Sequence, residues 1–199
     1  MSRLFPCLIL FCLTNSLKGG EPPGHGPVET LRTDGWALDL ETAVAWRMSD
    51  LTGLDYVVVP TMISLRTPAH FRLEMEGERE LVLRSRFSLL GEWIARGPEH
   101  HYLGISGSPS LEYWVSRQTY AHFSIGGGLG VTDSQSVEGG QGQDLTYNWF
   151  IALGVRHYVR ENLAIGAGVF YQHLSNLGAT DPNPGLDVVG PMVGISYSW

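Results

Sequence analysis

Near the C-terminus a histidine, a serine and an acid stand at spacings that suit nucleophilic chemistry: His173, Ser175 and Asp187. A serine hydroxyl is a weak nucleophile until a base takes its proton. The base in turn works best when an acid fixes its tautomer and stabilises its developing charge. In an extended chain successive side chains alternate between faces, so His173 and Ser175 share one face. That face continues backwards through Tyr171, Val169, Ala167, Ile165 and Leu163. A second arm repeats the pattern, with Asp187 leading into Val189, Pro191, Val193, Ile195, Tyr197 and Trp199. Pairing the arms about a loop centred near Thr180 sets His173 opposite Asp187, within side-chain reach. Reactive polar groups thus end two apolar stripes, which suggests chemistry at a lipid surface.

Attack on an ester would also need donors for the oxyanion. The connecting loop offers the amide of Asn176, backbone N–H groups near Gly178 and the side chain of Asn183, and the sequence does not rank them. A lone histidine here would read as a polar residue marking where a strand leaves an apolar layer. The serine two positions on, the acid in register and the Asn183-Pro184-Gly185 turn between them weigh toward catalysis. Other candidates carry less. His100 and His101 are adjacent, so a strand would send them to opposite sides, and no second ligand cluster accompanies them. The glycine run at 126–130 falls inside a strand pattern and not at a strand-to-helix turn, so it is no nucleotide loop. His122 and His157 have no evident partner. Neither a metal nor a cofactor is expected.

The strings His173-Leu174-Ser175-Asn176 and Asn183-Pro184-Gly185-Leu186-Asp187 resemble the signature of the lipid A 3-O-deacylase (acyloxyacyl hydrolase-like) family of outer-membrane barrels. The resemblance implies that His173, Ser175 and an acid twelve residues after the serine form a catalytic triad. The acid here is Asp187, where the family pattern has Glu. It also implies lipid A, or a related lipopolysaccharide glycolipid, as the substrate, outer-membrane lipids as the surroundings, and no metal.

Such a site needs elements that hold it at a bilayer, and the rest of the chain supplies them. The 199 residues amount to one domain, 43% hydrophobic, 17% charged and rich in glycine. A formal net charge of -7 speaks against a nucleic-acid partner, which would call for a basic patch. Residues 1–20 read as a secretory signal, with Arg3 before a short apolar core that is too brief to span a bilayer. Both cysteines, Cys7 and Cys12, lie within it, so the mature chain would hold no thiol. Residues 21–34 form a Pro- and Gly-rich leader, and residues 35–199 the barrel.

Alternation of apolar and polar residues marks strands at 36–46, 55–75, 80–93, 101–115, 119–131 and 145–159, with the site hairpin supplying two more. Pro60 and Pro68 interrupt the second, which we read as one strand with a bulge or kink. On the third, Leu81, Leu83, Ser85, Phe87 and Leu89 should face outward and Arg84 and Arg86 inward. Charges on the second face (Asp39, Glu41, Arg84, Arg86, Glu112, Arg156) are mixed with Gly, Ala and Ser, as in a narrow lumen where charges pair. A soluble barrel would put its apolar faces inside, and this mixture is poorly suited to an exposed surface. The expected fold is therefore all-β, an eight-stranded antiparallel transmembrane β-barrel. Short connections after strands two, four and six, and longer ones after one, five and seven, place the Ser175 end outside the cell; the connection after strand three is ambiguous. The sequence thus points to an outer-membrane serine esterase with its site at the outer leaflet. The rivals are a non-catalytic anchor or adhesion barrel and a barrel phospholipase. Oligomeric state is left open.

Overall fold

The computed structural model describes residues 34–48 and 55–199. The expected secretory segment with its cysteines, and the leader as far as residue 33, lie outside the described residues. Ten extended segments form one antiparallel sheet: β1 (Ala37–Ala43), β2 (Ala45–Arg47), β3 (Val57–Arg66), β4 (Phe71–Glu74), β5 (Glu80–Arg96), β6 (His101–Ser116), β7 (Thr119–Thr132), β8 (Leu145–Tyr158), β9 (Leu163–Ser175) and β10 (Leu186–Ser198). The sheet closes where β1 pairs with β10. β1 with β2, and β3 with β4, are successive parts of single strands, so the barrel is eight-stranded and no edge is left open.

Prolines explain both interruptions. β1 and β2 keep one register against their neighbours, and the pairs Ala43–Met192 and Trp46–Val189 bracket Pro191 while Thr42–Thr61 and Ala45–Val58 bracket Pro60. A proline has no N–H to give the ladder, so Val44 opposite Pro191 and Ala43 opposite Pro60 each lose a donor, and the strand breaks there. Between β3 and β4 the ladder slips. Arg66 pairs with Arg86, whereas Phe71 pairs with Leu83, so two extra residues are accommodated around Pro68. The bulge corrects one expectation. Ser85 does not face lipid freely; Thr67 and His70 fold over it, with His70 Nε2 2.9 Å from Ser85 Oγ.

The barrel is inside-out. Leu38, Leu40, Leu89, Ile105, Leu153, Val169 and Ile195 are exposed on its outer wall, while Asp39, Glu41, Arg66, Arg84, Arg86, Glu112 and Arg156 are buried in the lumen. Those charges form a closed network. Arg156 reaches Asp39 (2.7 Å) and Glu41 (2.6 Å), Arg86 pairs with Glu41, and Arg66 bridges Glu112 and Asp39. Below it Trp114, Tyr120 and Tyr158 stack, with Trp114 and Tyr120 centroids 4.4 Å apart. Toward the opposite end the lumen is mainly apolar, filled by Val58, Leu90, Phe150, Phe170, Leu174, Leu186 and Val188, with the buried Gln172–Glu92 hydrogen bond among them. Tyr102 also crosses that end, and glycine makes room for it: a Cβ on Gly130 would stand 2.6 Å from its ring. The interior is therefore packed, and the wall that carries β9 and β10 is backed by a solid core.

The connections after the second, fourth and sixth strands are short and those after the fifth and seventh long, as expected; most of the connection after the first lies outside the described residues, and the ambiguous one after the third is settled by topology. Residues 75–79, 117–118 and 159–162 turn the chain at one end. Residues 97–100, 133–144 and 176–185 lie at the other, the short 97–100 hairpin among the longer loops. A buried carboxylate ties these loops together. Glu99 accepts from Ser134 Oγ (2.8 Å), from the Gln141 N–H (3.1 Å) and from Tyr56. At the loops' surface Asp133 takes the His100 and His101 N–H groups and the His100 ring; partial burial opposes its charge, but those bonds outweigh it and lower its pKa to about 2.

Candidate active site

β9 and β10 pair in one uninterrupted register, and His173 falls opposite Asp187 as the hairpin symmetry requires. Both point to the outer wall, in line with the apolar stripe of Ile165 and Val169 on β9 and of Val193 and Ile195 on β10. His173 Nδ1 lies 2.9 Å from Asp187 Oδ1. An ionised carboxylate can only accept, so Nδ1 carries the proton, and in the neutral imidazole it is Nε2 that holds the lone pair. This is the tautomer a general base needs.

Ser175 closes β9 on the same face as His173, two residues and about 7 Å along the strand. It is buried, and its Oγ has no hydrogen-bond partner among the described residues. The structure thus brings His173 to Asp187 and sets Ser175 beside them, without a hydrogen bond between serine and imidazole. Catalytic hydrogen bonds of this type often tighten only when substrate is bound.

Asn176 organises the loop that follows. Its N–H is given to Asn183 Oδ1 (2.9 Å), and its carboxamide donates to Gln141 O (2.6 Å) and Thr180 O (2.8 Å). Its Oδ1 accepts the Gly178 N–H at 2.8 Å. The donors of Asn176 and Gly178 are thus engaged within the loop, whereas Asn183 Nδ2 has no partner among the described residues. Loop 133–144 supports this arrangement through Gln141, which is itself held by Glu99. Gly185 closes over the imidazole. Its φ of +64° is open to glycine, and a Cβ there would stand 3.4 Å from His173 Cε1.

Aromatic groups complete the outer wall. Trp149 of β8 lies opposite His173, its ring centroid 6.0 Å from the imidazole and 4.9 Å from the ring of Tyr171. The Tyr171 hydroxyl donates to Asp187 Oδ1 at 2.5 Å, the same oxygen that receives His173. An exposed apolar wall meets a polar, partly covered site at the loop end of the barrel. This junction suits a reaction on a molecule that keeps its acyl chains in the bilayer and its head group in water.

A family model described as lipid A 3-O-deacylase (PagL) matches residues 69–196, which include the whole site. The chain belongs to that family. It is accordingly a β-barrel of the bacterial outer membrane. Its fold is similar to a crystal structure of the outer membrane enzyme PagL, at 14% identity, with 79% of this chain and 97% of that one covered and a TM-score of 0.55. A designed transmembrane β-barrel aligns more loosely, at 12% identity over 84% of this chain and 98% of that one, with a TM-score of 0.45. The Ail protein of Yersinia pestis aligns at 15% identity over 84% and 100%, with a TM-score of 0.38; neither of these two bears on the argument. No curated protein matches the sequence.

Three residues at this site escaped the sequence reading. Tyr171 was placed only on the apolar stripe, although its position two residues before His173 on the same face was a usable signal. Glu99 and Gln141 carried none, because each acts across loops that are far apart in the chain.

Proposed function

We propose that this chain is an outer-membrane serine esterase that removes an acyl chain from lipid A or a related lipopolysaccharide glycolipid, with its site facing the outer leaflet. Ser175 is the nucleophile, His173 the general base and Asp187 the orienting acid. The observation that carries the reading is the His173–Asp187 bond on the lipid-facing wall, with Ser175 two residues along the same strand face. Membership of the deacylase family supplies the substrate class.

In this scheme the acyl chain lies along the apolar wall and presents its ester carbonyl to Ser175. As Oγ attacks, Nε2 takes its proton, and the imidazolium is stabilised by Asp187. The tetrahedral intermediate places a negative charge near the loop, where Asn183 Nδ2 is the donor not already used; the Asn176 and Gly178 N–H groups are secondary candidates, released only if the loop rearranges. Collapse expels the sugar alkoxide, which takes the proton back from Nε2. A water then attacks the acyl-serine with the same base, releasing the fatty acid and regenerating Ser175.

The test is fatty-acid release from lipid A by the purified barrel in detergent, beside a Ser175→Ala variant. Deletion of one hydroxyl should leave the barrel folded, as judged by heat-modifiable gel mobility, and lower turnover by roughly four to six orders of magnitude. Equal release from a folded Ser175→Ala variant would sink the serine mechanism. Release from phospholipid but not lipid A would favour a barrel phospholipase, and no release from either would favour an anchor.

A further inference from the structure

The Asp187 carboxylate stands at the mouth of the barrel, on the outer wall and partly open to solvent. A carboxylate placed there can rotate about two bonds and is contested by water. Its value to His173 depends on keeping one oxygen on Nδ1. The structure shows what keeps it there. Tyr171 lies opposite Val189, one diagonal step from Asp187 across the ladder, a span that a long side chain bridges. Its hydroxyl donates to Oδ1, and the packed ring of Trp149 limits its freedom. A phenol-to-carboxylate bond is charge-assisted and stronger than one between neutral groups. The phenol also has no need to ionise to do this, so the pair remains a neutral donor and a charged acceptor.

We infer that Tyr171 is a positioning residue: it fixes the Asp187 carboxylate on the imidazole of His173 and so holds the base in its working tautomer and orientation. The inference rests on the serine-esterase reading above. It differs from the ordinary account of a tyrosine near a bilayer rim, in which the ring sits among head groups and its hydroxyl meets water. It also bears on the shorter acid of this chain. Aspartate has one methylene fewer than glutamate with which to reach the imidazole, so a second anchor on its carboxylate has more to contribute.

The experiment uses the full barrel in detergent, with steady-state release from lipid A measured for wild type, Tyr171→Phe, Asp187→Asn, the Tyr171→Phe/Asp187→Asn double variant and Ser175→Ala. Loss of the hydroxyl alone should lower kcat about tenfold with KM unchanged, since only orientation in the transition state suffers. In the Asp187→Asn background the same change should cost nothing further, because the group through which Tyr171 acts is already neutral. A rise in KM at constant kcat would make Tyr171 a lipid-contact residue and overturn the inference. So would an equal loss in both backgrounds, which would mean that the hydroxyl acts through packing. Release that survives Ser175→Ala would remove the esterase reading and this inference with it. That outcome is distinct from Ser175-dependent release that Tyr171→Phe leaves intact, which overturns the inference alone.

Discussion

Inside the barrel Asp39 is wholly buried and meets Arg66, Arg156 and the hydroxyl of Ser196, whereas on the outer wall Asp187 is 39% exposed by side chain and meets one imidazole and one phenol. Both are carboxylates held by hydrogen-bond donors from other strands. The lumen group is surrounded by fixed guanidinium charge and sealed by the aromatic stack beneath it. The outer group leaves the far nitrogen of its partner uncommitted, next to a serine whose hydroxyl is uncommitted as well. The lumen pair is enclosed by further charges, whereas the outer pair is open on one side, as the proposed reaction requires. The difference comes from what lies on the far side of the partner, more than from the pair itself.

Substitutions at equivalent atoms should separate the two regions. After Ser175→Ala, the largest effect on turnover is expected from Asp187→Asn. The variant should fold, because the site is partly solvated, but the imidazole loses the charge that selects its tautomer. We expect release to fall by roughly three to four orders of magnitude, measured with heat-modifiable mobility as the folding control. Unimpaired release from Asp187→Asn would remove the acid from the mechanism and reduce the outer pair to a surface contact.

The matching change in the lumen is Glu112→Gln. Glu112 serves Arg66 and Arg84 at once, and its removal leaves buried guanidinium charge short of a partner. Breaking a buried pair in this way costs about 3–5 kcal/mol, so the urea midpoint of the barrel in detergent should fall markedly. Release per folded molecule should stay at the wild-type value, since no lumen charge touches the site. A loss of turnover in the folded fraction would show that the two regions are coupled, and the contrast drawn above would fail.

How far the sequence reveals each region follows from the same contrast. Strand alternation made the lumen charges and the lipid-facing stripes readable, because period-two burial depends only on neighbours along the chain. The His173–Asp187 pairing was readable for a related reason: a hairpin symmetric about Thr180 leaves its register little freedom. The slip at Pro68 was visible as a break, but not the covering of Ser85, which depends on how many residues the partner strand spends opposite the bulge. The apolar plug of Phe150, Phe170 and Leu90 behind the site was not foreseen as a core, since alternation shows which residues point inward and not what they meet there. The Tyr171–Asp187 bond is diagonal, so a reading of directly opposed residues passes over it.

The smallest expected effect belongs to Asp187→Glu, and it sharpens the comparison most. The family pattern that this hairpin resembles carries glutamate at the acid position, so the longer side chain is compatible with the chemistry. In this barrel His173 Nδ1 already sits 2.9 Å from the aspartate oxygen, with the strand register fixed on both sides of β9. An added methylene must therefore fold back or swing toward solvent. The outer wall has room for that, because the site is half open where the lumen is packed. Carboxylate charge is kept, and the phenol of Tyr171 can still donate. We expect a fall in kcat between about two- and tenfold, well short of the roughly hundredfold that an ångström of misplacement can cost. The same one-methylene extension at Asp39, surrounded by Arg66, Arg86, Arg156 and Ser196, should instead fail as overpacking, at a cost of about 1–3 kcal/mol. A collapse of turnover in folded Asp187→Glu would show that the outer pair is as tightly constrained as the inner one. Its openness would then have no part in how the site works.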